Sequence, residues 1–290
     1  MKSVYKITVL ALLLSATSCI KDGFIGENCP GDYNVSVVWP GESSNDKKTT
    51  ITITKPDGSV ETITIGDTSN GNLNLDEGKY QISASTDYNK ENVAINGNTV
   101  TVNKDTDGDC CDPGDFSGGG TEIEIAPGKD IDPNIQIPMI KQTRPLIVKV
   151  KFIGNAAPQV SDVSSTMKGI ALSRHINHGF PPSDGEPRHQ AIVATAVNYK
   201  HTKDNDEFYS GTRTLLGIDG IAKQKLSLKV GFGSATTVTY DFDISRDMDG
   251  FHITDVKEAW VIEIVLQLGA DFQATIVDWK VGPETWLEAN

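Results

Sequence analysis

The sequence is short of cations, of cysteines and of long apolar runs. Lys and Arg number 26 against 39 Asp and Glu, so the formal charge is 26 − 39 = −13. That balance argues against nucleic acid as a partner, because neutralising phosphates needs clustered positive charge. After residue 18 no apolar stretch approaches the roughly 18 residues that cross a bilayer as a helix. The catalytic signatures are missing too. There is no Gly-x-Ser-x-Gly elbow, no phosphate-binding loop, no dinucleotide glycine fingerprint and no His-Glu-x-x-His helix, and nothing places a nucleophile beside a base. The chain reads as a non-enzyme. What is present is 27 Gly and 13 Pro punctuating stretches rich in Thr, Val and Ile, with 38% hydrophobic and 22% charged residues. That composition belongs to a folded, all-β protein.

The first residues read as an export address. Lys2 and Lys6 make a positive start, Ile7 to Leu14 an apolar core too short to span, and Ser15 to Ser18 a run of small residues before Cys19. Residues 1–18 are therefore expected to be a signal peptide. The string Leu13-Leu14-Ser15-Ala16-Thr17-Ser18-Cys19 resembles a lipobox, in which the Cys19 thiol is acylated and becomes the new N-terminus. At roughly 0.8 kcal/mol per buried CH₂, two or three acyl chains hold a protein on a membrane durably. The competing expectation is ordinary cleavage nearby, with Cys19 free for a structural disulfide.

The remaining strand patterns fall into two blocks. In the first, residues 19–102, Val35, Val37 and Trp39 alternate with polar neighbours. Thr50 to Thr54 and Val60 to Ile65 flank Lys55-Pro56-Asp57-Gly58-Ser59, which reads as a hairpin. Leu73 to Ile82 carries apolar residues at every second position on both sides of Asp76-Glu77-Gly78, and Val93 to Val102 gives two short strands around Asn96-Gly97-Asn98. A Gly/Asp/Cys/Ser-rich stretch, 103–120, is the expected linker. The second block, 121–290, opens with Thr121 to Ile125 and Ile135 to Ile140, then Leu146 to Ile153 with one buried side. It continues through Ala191 to Tyr199, Phe208 to Leu215, Lys225 to Phe232, Val238 to Ile244, Ala259 to Leu268 and Phe272 to Val281. The mixed period of Val163 to Leu172 fits a short helix followed by a strand. Strands at intervals of 8–12 residues with almost no helix predict two β-sandwiches.

Few residues invite chemistry. Asp105, Asp107 and Asp109 alternate as calcium ligands do, with Gly108 at a sharp turn, yet position 114 is Gly where a closing Glu belongs. Calcium and a plain acidic linker both remain open. His175, His178 and His189 lie among loop formers and read as solvated rather than zinc-binding. Cys29, Cys110 and Cys111 are an odd number, so one thiol is left over. A bridge from Cys29 to Cys110 or to Cys111 would close about 80 residues and contribute on the order of 4 kcal/mol; three reduced thiols are the alternative. Trp39, Trp260 and Trp279 sit in strand patterns and read as core, which leaves Trp286 as the loose aromatic for a sugar.

Cys19-Ile20-Lys21-Asp22, Asn28-Cys29-Pro30, the Leu75-Asp76-Glu77-Gly78-Lys79-Tyr80 corner, Lys141-Gln142-Thr143-Arg144-Pro145-Leu146 and Val277-Asp278-Trp279 together resemble the fimbrium anchoring-subunit lipoproteins of Bacteroides-type bacteria. Lys21-Asp22 is similar to the export signal that sends such lipoproteins to the outer leaflet, with Gly23 in place of the usual second acid. The resemblance implies two Greek-key, transthyretin-like or immunoglobulin-like β-sandwich domains in tandem. It also implies attachment to the outer membrane, exposure at the cell surface, fimbrial pilin subunits as partners, and strand addition to a sheet edge as the mode of joining. The alternative function is a surface glycan- or calcium-binding lipoprotein; an envelope hydrolase stands third.

Overall fold

A computed structural model describes residues 31–39, 48–65, 70–86, 88–126, 132–176, 191–204, 207–219, 222–233, 236–251 and 258–284. The signal peptide and Cys19 lie outside them. Almost everything described is strand, because apolar residues recur with period two. In β11 (Arg144–Gly154), Leu146, Val148 and Val150 are fully buried while Ile147, Lys149 and Lys151 are half-buried.

The first sandwich pairs a three-stranded sheet, β4-β1-β9, with a five-stranded one, β10-β8-β5-β2-β3. Its strands are β1 (Gly31–Val38), β2 (Thr49–Thr54), β3 (Val60–Ile65), β4 (Asn70–Leu75), β5 (Gly78–Thr86), β8 (Ser117–Ile125), β9 (Asn134–Pro138) and β10 (Ile140–Lys141). Val35, Ile51, Ile53, Ile82 and Ile137 fill the space between the sheets. The second sandwich pairs β14-β15-β11-β18-β19 with β17-β16-β12, and β13 lies against β12. Here β12 is Val160–His175, β13 Ala191–Lys200, β14 Thr202–Lys203, β15 Phe208–Leu215, β16 Lys225–Phe232, β17 Thr236–Asp243, β18 Trp260–Leu268 and β19 Ala274–Pro283.

One strand order occurs twice. β1 pairs antiparallel with β4 and parallel with β9, as β11 pairs antiparallel with β15 and parallel with β18. In the facing sheets β8-β5-β2-β3 corresponds to β17-β16-β12-β13, all antiparallel. This repeated Greek key is the expected transthyretin-like arrangement, with β19 as an extra strand beside β18 in the second copy. The β4–β5 corner carries it in the first copy. Its Gly78 has φ +146°, and a Cβ there would overlap the Pro56 ring. Tyr80 is buried with its hydroxyl hydrogen-bonded to the Asp76 backbone, which resembles the tyrosine corner of related sandwiches.

Two expectations need correction. The boundary at 103–120 is not where the sandwiches part. β6 (Val93–Asn96) and β7 (Thr99–Val102) belong to the second sandwich, where Thr99, Val100 and Thr101 pair with His175, Arg174 and Ser173 of β12. Cys110 and Phe116 join its core, while β8, β9 and β10 return to the first. Alternation shows that a strand has a buried face, and the sandwich that buries it is set by pairing more than 70 residues away. The second correction concerns Val163 to Leu172, which lies within one 16-residue strand, β12. Register shifts around residues 168–174 break its period, the first at Gly169 with φ +79°, so the pattern imitates a helix.

Candidate functional site

The expected ligands do not converge. Asp105 Oδ1 accepts the amides of Asp107 at 3.0 Å and Asp109 at 2.9 Å, and Asp109 Oδ1 accepts Asn198 Nδ2 at 2.6 Å. The acidic run is thus a tight turn docked on β13, with the Asp105 and Asp109 carboxylates bonded to protein donors. Among the described residues no group of three or more His, Cys, Asp or Glu is arranged to hold a metal ion. Cys110 is a buried free thiol whose sulfur lies 3.5 Å from Thr195 Oγ1, and Cys111 is free and half-buried; Cys29 lies outside the described residues. His175 is exposed, and His178 and His189 lie outside the described residues, as does Trp286. Trp260 is buried, and Trp39 and Trp279 pack partly buried against the two cores.

The surface that remains is made of sheet edges. β19 pairs antiparallel with β18 and, among the described strands, has no neighbour on its other side. A bulge interrupts it: Asp278 pairs with Val265 and Ile276 with Leu266, which leaves Val277 as the extra residue. Ile276, Trp279 and Val281 stand opposite the fully buried Leu266, Ile264 and Ile262, so these three share the inner face. The sequence alternation instead groups Val277 with Trp279 and Val281, because a bulge reverses the parity. Ile276 and Val277 are 48% and 53% exposed. On the other sheet, edge strand β17 meets β19 through aromatics, with the Phe242 and Trp279 rings 5.7 Å apart and the Tyr240 hydroxyl donating to Phe272 O at 2.6 Å. These contacts tie the edge strands of the two sheets together.

Three polar arrangements escape a reading of the sequence. Ser165 Oγ and His201 Nε2 are 2.8 Å apart, with His201 Nδ1 3.1 Å from Tyr209 O. Ser165 is buried and the ring is oriented by a carbonyl rather than a carboxylate, so the pair ties β12 to β15 and offers no accessible nucleophile. Burial lowers the His201 pKa, against the opposing effects of the Tyr209 carbonyl and Asp162. Arg144 stacks over the Trp260 ring at 4.7 Å and donates to the carbonyls of Glu258 and Phe251. Arg174, also buried, donates to Leu216 O, His175 O, Gln142 O and Gln142 Oε1. A lone arginine or histidine in a strand ordinarily reads as solvated; no local pattern announces these.

The family model described as fimbrillin-A associated anchor proteins Mfa1 and Mfa2 matches residues 27–282. The sequence has no match among curated proteins. Among solved structures, the fimbrial anchor protein Mfa2 from Porphyromonas gingivalis superposes with a TM-score of 0.60 at 12% identity, covering 87% of this chain and 98% of that one. A candidate adhesin from Bacteroides ovatus gives 0.57 at 10% identity, covering 89% and 94%. A second B. ovatus candidate adhesin gives 0.56 at 12% identity, covering 83% and 90%. At such identities these likenesses bear on the fold alone. Among the described residues no helix is long and apolar enough to cross a membrane.

Proposed function

Because the chain belongs to the family of fimbrillin-A associated anchor proteins, we propose that it is an outer-membrane lipoprotein that holds a fimbria to the cell surface. The family match over 27–282 carries this reading, and it favours a structural role. Acylation at Cys19 supplies the attachment; the support is the lipobox-like string that ends there. Near the other end of the chain, a fimbrial subunit adds a strand along the outer edge of β19. The support is that no other described strand pairs with that edge, and that it carries two half-exposed apolar side chains, Ile276 and Val277. In strand addition, main-chain hydrogen bonds give affinity and alternate side chains give register. A glycan- or calcium-binding role finds less support, since Trp260 is core and the carboxylates of Asp105 and Asp109 are engaged by their own chain.

The test is affinity capture of this protein from detergent-extracted outer membranes. Fimbrial subunits in the captured material are the expected result. Recovery of the protein in the soluble fraction, or capture without any fimbrial subunit, contradicts the reading.

A further inference from the structure

Two sandwiches joined end to end in one chain ordinarily move relative to each other unless their interface is built to prevent it. Here the chain crosses between them three times, after β5, between Phe116 and Ser117, and between β10 and β11. The crossings are bonded to one another. Ser117 N donates to Thr86 Oγ1 at 2.9 Å, and Gln142 N to Phe116 O at 2.9 Å. In the middle lies Arg174, 2% exposed, with no carboxylate among its hydrogen-bond partners. A buried cation held only by carbonyl oxygens is expensive, and the side chain of its partner Gln142 donates onward to Gly118 O in β8 of the first sandwich at 2.9 Å. The guanidinium fork satisfies four acceptors that no apolar side chain would.

We propose that Arg174 and Gln142 form a rivet that makes the two sandwiches one mechanical body, so that tension between membrane and fimbria crosses the protein without a hinge. The use for tension rests on the anchor reading; the rigidity does not. Arg174 acts from β12 in the second sandwich, through Gln142, on β8 in the first. Pulling the sandwiches apart also means breaking the hydrogen bond from Ser83 Oγ of β5 to Gly97 O in the β6–β7 turn, at 3.0 Å.

The experiment is urea unfolding of the full chain in detergent, followed by hydrogen exchange and mass spectrometry that report peptides of β2–β5 and of β11–β18 separately. Wild type is expected to lose both together at one midpoint. Arg174→Met is expected to separate the two midpoints by about 1 M urea, given slopes of roughly 1–3 kcal/mol per M. Arg144→Met is the control, since Arg144 is also buried but bonds only within the second sandwich, and it should lower both midpoints in step. If Arg174→Met fails to fold, Gln142→Ala decides: separated midpoints support the rivet. Coincident midpoints in the deciding variant, or separate midpoints already in wild type, overturn it. The measurement involves neither membrane nor fimbria, so its failure is distinct from failure of the anchor reading.

Discussion

Single residues carry two consequences that can be measured. Gly78 approaches Pro56 so closely, at a positive φ, that no side chain fits. Gly78→Ala should destabilise the protein by about 1–3 kcal/mol through strain and overlap at the corner, read from the urea midpoint; an unchanged midpoint would mean the corner relaxes freely. His201 gives a pH dependence. Its folded pKa is lowered by burial, while in the unfolded chain it titrates near the ordinary histidine value of about 6.5. Above that pH both states are neutral and nothing is lost. As pH falls below it, the unfolded chain takes up a proton that the folded protein resists, so stability declines until the lower folded pKa is passed. His201→Gln should remove that share of the decline between pH 7 and 5. Superimposable pH profiles of the two proteins would rule this out. Neither His201 nor Arg174 was legible in the sequence, because what sets their behaviour is burial against carbonyls from distant strands. The Leu75–Tyr80 corner was legible because its turn and its tyrosine lie within six residues, although its contact with Pro56 was not.

At the scale of elements, alternation located most strands, and the hairpin of β2 and β3 was readable from its turn alone. Errors arose where backbone irregularity changed the phase. The bulges of β12 made a strand look part helix, and the bulge at Val277 placed that residue on the wrong face. Substitution separates edge from core in β19. Val277→Asp, half-exposed on the bulge, should change stability by no more than about 0.5 kcal/mol, as surface positions do, and should reduce fimbrial attachment. Leu266→Asp, opposite Ile276 and fully buried, places an unpaired charge in the core and should destabilise by several kcal/mol. Thermal unfolding reads both. A large loss from Val277→Asp would show that the edge is covered within the molecule.

For the whole molecule, the number and kind of domains were open to the sequence and their boundaries were not. A chain that visits the first sandwich, the second, the first and the second again leaves no compositional seam. The stretch 103–120, which looks like a linker, is instead docked: Asp112 accepts the amide of Thr214 at 3.1 Å, and Arg213 donates to Cys110 O. The result is a two-sandwich scaffold with a membrane address expected at one end of the chain and, among the described strands, a sheet edge at β19 near the other, which suits holding a fibre to a surface. The central claim is attachment, and it is tested most directly by counting fimbriae on cells and in the medium by electron microscopy. Cells lacking the protein are complemented with wild type or with Cys19→Ala. Fimbriae retained with wild type and shed into the medium with Cys19→Ala are the predicted result. Fimbriae held on cells equally by both would contradict the account.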